Sequence, residues 1–148
     1  MHVDQEISLS QYQSLAEFRY QLRRFLHFSE QAARSVGLEP QQHQLLLILK
    51  GLPEGRPATV GELAERLQIQ HHSTVELINR MVEKNFLVRS RDEIDQRKVI
   101  IHLTPNGEKV LRKLSLLHST ELRSSGPELV RALNKVINAE GHYPLGGE

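Results

Sequence analysis

The 148-residue chain has no cysteine and no tryptophan, and its aromatics are limited to four phenylalanines and three tyrosines. Without thiols, disulfides, thiolate metal sites and a cysteine-based peroxide switch are excluded. No apolar run approaches the roughly 18 residues that a membrane span needs. Residues 1–10 have neither the basic start nor the apolar stretch of a signal peptide. The expected location is the cytoplasm, with no membrane partner. An excess of one charge is also missing: 19 Lys and Arg against 18 Asp and Glu leave a net charge of +1. Any nucleic-acid role must therefore show in local pattern and not in bulk charge. No glycine-rich phosphate loop, nucleophile elbow or paired-carboxylate arrangement stands in a plausible setting, so an enzyme is not expected.

What is present reads as a folded protein. Hydrophobic residues make up 39% and charged residues 25%, the balance of a soluble globular domain. The length suits one substantial core, so 1–148 is read as a single domain. Over residues 10–35, Leu15, Phe18, Leu22, Phe25, Leu26, Ala32 and Ala33 recur at spacings of three and four among charged residues, which predicts a long amphipathic helix. Gly37 suits its left-handed end and Pro40 the first turn of a second helix carrying Leu45, Leu46, Ile48, Leu49 and Leu52. Residues 52–57, rich in proline and glycine, form a loop.

Thr59 followed by Glu62 has the form of a capping box and opens a short helix through Leu63, Ala64 and Leu67. After a brief connection at 68–70, another helix directs Leu77, Ile78, Met81 and Val82 inward, and Asn85 takes the left-handed position at its end. The period then changes. Branched residues over 87–91 and 99–103 flank a charged stretch and predict a β-hairpin. Thr104 before Pro105 starts a helix through Val110, Leu111, Leu114 and Leu117 toward Ser124. A last helix covers about 127–137, and the tail 138–148 is expected to be loose. The fold class is mainly α with a small β-hairpin wing (α+β). Residues 38–104 form a winged helix-turn-helix lobe, flanked by long terminal helices over 10–37 and 105–138.

In a helix-turn-helix the second short helix enters the major groove. Here it begins near His71, and its apolar set leaves His72, Ser73, Glu76, Asn79 and Arg80 on the opposite face. His72 and Ser73 stand at the helix start, where backbone amides and the dipole favour a phosphate. Arg80 suits guanine or phosphate, and Glu76 can accept from cytosine. The same residues would also suit a plain solvated face. In the hairpin turn, Arg91, Asp92, Glu93, Asp95, Arg97 and Lys98 read either as an ordinary solvated turn of mixed charge or as a wing. In the second case Arg97 enters a minor groove while Asp95 holds its guanidinium.

Three stretches, VGELAERL over 60–67, HHSTVELINR over 71–80 and DQRKVIIHLTPNG over 95–107, resemble proteins of the MarR (multiple antibiotic resistance regulator) family. The Asp-x-Arg of the wing, followed by Leu-Thr-x-x-Gly, is the most specific part. The resemblance implies a homodimer whose first and last helices interlock, with two winged lobes reading a pseudo-palindromic operator in double-stranded DNA. Expected DNA contacts are Thr59, His71, His72, Ser73, Glu76, Asn79, Arg80, Arg91, Asp95, Arg97 and Lys98. The family further implies repression relieved by a small aromatic effector, for which Phe18, Phe25 and His43, with Tyr20 and Phe28, are candidates. Aromatics at helical spacing serve equally as plain core. Two positions depart from the family pattern: Asn85 stands for the usual glycine, and Gln70 for a small hydroxyl cap.

Two rival readings remain. The eight histidines invite a metal-responsive regulator, but His71 and His72 are adjacent and His27, His43, His102 and His118 lack ligand spacing, so no metal or other cofactor is expected. A winged helix used for protein contact without DNA binding shares the fold. Residues 56–113 hold eleven Lys or Arg against eight Asp or Glu, a surplus of three that favours DNA.

Overall fold

The computed structural model describes residues 5–140. The elements are α1 (Leu9–Ser35), α2 (Pro40–Lys50), α3 (Val60–Leu67), α4 (His71–Glu83), β1 (Leu87–Arg91), β2 (Val99–Leu103) and α5 (Pro105–Glu140). Mainly helical with one antiparallel hairpin, this is the expected fold class. No helix of the described residues is long and apolar enough to cross a membrane.

One expectation fails at the C-terminal end. The sequence predicts two helices broken near Gly126 and Pro127, but α5 is a single helix of 36 residues with Pro127 inside it. Residues 138–140, expected to be loose, form its last turn, and 141–148 lie outside the described residues. A proline inside a helix removes one amide donor and crowds the carbonyl four residues back. The helix persists because its less exposed stripe, His118, Glu121, Ser125, Leu129, Ala132 and Val136, keeps one phase across the break signal. Pro127 itself sits on the exposed side.

The chain divides into two compact units. The winged unit, Glu30–Leu116, holds the hydrophobic core. Leu45, Leu46 and Leu49 of α2 join Leu63 and Ala64 of α3, Leu77, Ile78 and Met81 of α4, Leu87 of β1, Ile101 of β2, and Leu111 and Leu114 of α5. A fully buried leucine or isoleucine contributes about 1.5–3 kcal/mol. The exposed Lys50–Glu108 ion pair, at 3.0 Å, contributes at most about 1 kcal/mol. The core, and not surface charge, therefore holds this unit together.

Three helix ends turn by the same device. Gly37, Gln68 and Asn85 take φ of 80°, 57° and 63°. In each case the next amide reaches back to close the last turn: Leu38 to the Ala33 carbonyl (3.0 Å), Ile69 to Ala64 (3.2 Å) and Phe86 to Met81 (3.0 Å). Asn85 thus does what the sequence assigns to it. Gln68 does the same with no sequence signal to announce it.

In the hairpin, Leu87 pairs with Leu103, Arg89 with Ile101 and Arg91 with Val99. The Ile101 amide also donates to the Ala58 carbonyl (3.0 Å), tying the segment before α3 to the sheet. Thr104 then joins the end of α4 to the start of α5. Its amide donates to the Phe86 carbonyl (3.1 Å) and its hydroxyl to the Asn85 carbonyl (2.7 Å), while the same oxygen accepts from the Gly107 amide (3.0 Å). Gly107 is buried against the Phe86 carbonyl so closely that a Cβ has no room.

The helical unit comprises residues 5–29 and 117–140 of the described chain. Here α1 and α5 run antiparallel. His118 Nε2 lies 2.8 Å from Ser29 Oγ at one end, while residues 10–20 face Lys135, Asn138 and Ala139 at the other. Phe25 and Phe28 meet the His118 ring edge to face, with centroids 6.0 and 5.4 Å away. Among the described residues of this unit the buried side chains are Gln21, Ser29 and Ala132. Leu9, Tyr12, Leu15, Tyr20, Leu26, Leu117, Leu122, Val130, Leu133 and Ile137 are all at least 40% exposed.

The Thr104 junction yields a stability prediction. Thr104→Ala should lower the unfolding free energy by about 1 kcal/mol, the usual loss for a helix cap. Gly107→Ala should cost more, because the atom in the way is backbone. Denaturant unfolding of the two variants checks the ranking, and a Gly107→Ala protein as stable as the parent would refute it.

Candidate nucleic-acid interface

The outer face of α4 is set by what lies behind it. Leu77, Ile78 and Met81 are buried, and so is Thr74, whose hydroxyl donates to the Gln70 carbonyl at 3.0 Å and anchors the first turn from the core side. Helical geometry then turns His72, Glu76, Asn79 and Arg80 outward, and all four are exposed together with His71. Ser73 is half-buried on the flank. Gln70 is the N-cap residue, and its side chain makes no capping hydrogen bond. The first-turn amides of α4 therefore lack the side-chain acceptor that Thr59 gives α3. A helix start without its own cap suits an anion.

Thr59 occupies a different setting. It is half-buried at the N-cap of α3, where its hydroxyl accepts from the Glu62 amide at 3.3 Å. The Glu62 carboxylate pairs with Arg66 one turn on, at 3.2 Å.

The wing loop is held by its own polar groups. The Asp92 amide donates to the Lys98 carbonyl (3.0 Å) and the Lys98 amide to the Asp95 carbonyl (2.9 Å). Arg91 Nη1 donates to the Gln96 carbonyl at 3.1 Å, so this guanidinium braces the loop. Asp95 grips Arg97 three times: Oδ1 accepts from its backbone amide and from Nε, each at 3.1 Å, and Oδ2 accepts from Nη2 at 3.3 Å. The Arg97 side chain is 92% exposed, so the fork fixes a cation that otherwise faces only water. The Arg97 side chain and amide together hold the Asp95 carboxyl below the ordinary carboxylate range, with a smaller push from Lys98. Lys98 is exposed on the same loop, and Ile94 stands 96% exposed at the tip.

One residue that the sequence pattern did not single out belongs with this face. Arg89 of β1 donates through Nη2 to Asn79 Oδ1, joining the hairpin to the outer face of α4. Strand alternation carries the signal that finds it: Leu87 is buried, so Arg89, two residues on, shares the side that looks toward α4.

The candidate effector residues are distributed over both units. Phe18 and Phe25 are half-buried in the helical unit, whereas His43 is buried on α2 in the winged unit. Tyr20 is exposed, with the Arg24 guanidinium 5.8 Å from its ring centroid. The pocket beside Phe25, lined also by Gln21, Leu122 and Leu129, measures about 80 Å³. An aromatic ring needs a cavity of about 150 Å³. His102 lies 2.7 Å from Ser90 across the hairpin. Among the described residues no three histidine or carboxylate side chains cluster as metal ligands would.

A model of the MarR family matches residues 36–98, the span from the end of α1 through the wing loop. Over 99 residues the chain is 32% identical to the HTH-type transcriptional regulator MgrA of Staphylococcus aureus, covering 63% of this chain and 67% of MgrA. Over 75 residues it is 33% identical to YsmB of Bacillus subtilis, an uncharacterised HTH-type transcriptional regulator, and this match covers 51% of each chain. Among solved structures, AbsC, a MarR family transcriptional regulator from Streptomyces coelicolor, superposes with a TM-score of 0.71 at 21% identity, covering 97% of this chain and 99% of that one. A mutant of Staphylococcus aureus MepR bound to an oligodeoxyribonucleotide superposes with a TM-score of 0.64 at 20% identity, covering 91% of this chain and 94% of that one. With its wing, its paired short helices and these relatives, the chain belongs to the MarR family of transcriptional regulators and is not an enzyme.

Proposed function

We propose that the protein is a cytoplasmic, homodimeric, sequence-specific DNA-binding regulator, a repressor released by a small aromatic effector. The observation that carries the DNA reading is the shared exposure of His72, Glu76, Asn79 and Arg80 on α4 beside a wing whose Arg97 is already fixed by Asp95. In this reading residues 38–104 form the DNA-binding lobe. The start of α4 takes a backbone phosphate, its outer face reads base edges in the major groove, and Arg97 enters the neighbouring minor groove. Arg80 and Lys98 add phosphate contacts. Thr59 and Arg91 act through the shape of α3 and the wing, given the bonds their side chains already make. The MepR complex supports DNA as the partner of this fold.

Dimerisation through 10–37 and 105–138 is supported by the large apolar side chains left exposed on the helical unit, whose own buried set is too small and polar to stand alone. A C2 dimer presents two copies of the same lobe, which matches a pseudo-palindromic operator. The effector reading rests on the family. The pocket beside Phe25 is too small for an aromatic ring within one chain, so an effector site at Phe25 would need the partner to complete it.

Three measurements test this. In gel shifts on the DNA upstream of its own gene, Arg97→Ala should lose about 1–3 kcal/mol of binding free energy, and Asp95→Asn should lose less, since it loosens the cation without removing it. Equal affinity for parent and Arg97→Ala removes the wing from the mechanism, and no shift at all favours a protein-contact module. Sedimentation should give a dimer that Val130→Glu with Leu133→Glu converts to monomer; a parent that runs as a monomer refutes the dimer. The third concerns pH. A carboxyl whose folded pKa is lowered supplies its interaction above the unfolded value and loses it as pH falls through the folded one. The Asp95–Arg97 fork should thus be complete at neutral pH and dissolve only below the ordinary carboxylate range, as an NMR titration of Asp95 would report; a midpoint within or above that range contradicts the fork.

A further inference from the structure

We infer that Arg89 sets base preference through Asn79, acting as a positioning residue at the DNA interface; this rests on the DNA-binding reading above. Arg89 and Asn79 come from different elements, β1 and α4, and both are exposed, so their contact is not forced by core packing. A guanidinium only donates. The Asn79 amide must therefore turn its Oδ1 toward Arg89, leaving its Nδ2 hydrogens for anything that approaches α4.

That orientation decides what the asparagine can read. Recognition of adenine by asparagine needs both ends of the amide, the oxygen accepting from N6 and the nitrogen donating to N7. With one of the two Oδ1 lone pairs taken by Arg89 and the amide held in that pose, donors outnumber acceptors on this face: the Nδ2 hydrogens and the other nitrogens of Arg89. A donor-rich surface favours guanine, which shows N7 and O6 as acceptors, and tolerates thymine through O4. The same surface meets the N6 amino group of adenine with a second donor. Free of Arg89, the same amide can rotate and take adenine.

The test is selection from a random double-stranded DNA pool by the full chain and four variants. The parent should enrich guanine, or thymine, at one position of each half-site. Arg89→Met should shift that position toward adenine, on the order of 10-fold for one new bidentate amide–adenine pairing, with the other positions unchanged. Arg89→Lys, whose ammonium also donates to Oδ1, should retain the parental preference. Asn79→Ala should flatten the preference at that position, and adding Arg89→Met to it should change nothing further. Parental preference in Arg89→Met overturns the assignment, as does a shift that persists once Asn79 is alanine, because Arg89 would then act on DNA directly. A parent that enriches no sequence overturns the DNA-binding reading along with it.

Discussion

Four segments meet at the hydroxyl of Thr104: the end of α4, the start of β1, the end of β2 and the first turn of α5. One oxygen donates to the Asn85 carbonyl and accepts from the Gly107 amide, while the Thr104 amide takes the Phe86 carbonyl. Each bond alone is worth about 1 kcal/mol. Their joint effect is geometric, because they fix where the hairpin leaves α4 and hence where the wing stands beside that helix. Gly107 belongs to the same joint, since only a residue without Cβ lets α5 start against the Phe86 carbonyl. The contact between Arg89 and Asn79, and the position of the Arg97 fork, both inherit this geometry.

Much of the winged unit was legible because its signals are local. Thr59, Asn85, Thr104 and the branched residues flanking the charged turn each report a conformation set by neighbours a few residues away, and the strand bounds fall where the pattern places them. The candidate face was legible too, since a period of 3.6 residues puts His72, Glu76 and Arg80 opposite Leu77, Ile78 and Met81. What was not legible depends on contacts distant in sequence or on competition between signals. Gly126 and Pro127 announce a break, but the stripe from His118 to Val136 continues through them, and packing along the whole stripe outweighs one missing amide bond. Alternation puts Arg89 on the side of buried Leu87, but which helix that side meets is settled only when the hairpin is placed against α4.

The two units are stabilised differently. In the winged unit large apolar side chains from six elements fill one interior. In the helical unit the same kinds of side chain point outward, and the buried positions go to Gln21, Ser29 and Ala132. A long helix pair of this kind gains little from its own contacts, and it leaves open the apolar area on which the proposed dimer rests.

The fork between Asp95 and Arg97 has a consequence for selectivity. A long, flexible cation ordinarily loses much of its rotational freedom when it enters a groove, and that loss weakens binding to right and wrong targets alike. Because the partner carboxylate sits two residues away in the same turn, Arg97 has given up that freedom before any target arrives. In the DNA-binding reading proposed above, the tip would thus meet each groove in one shape, and a groove of the wrong width would be refused by misfit instead of being accommodated by a flexing side chain.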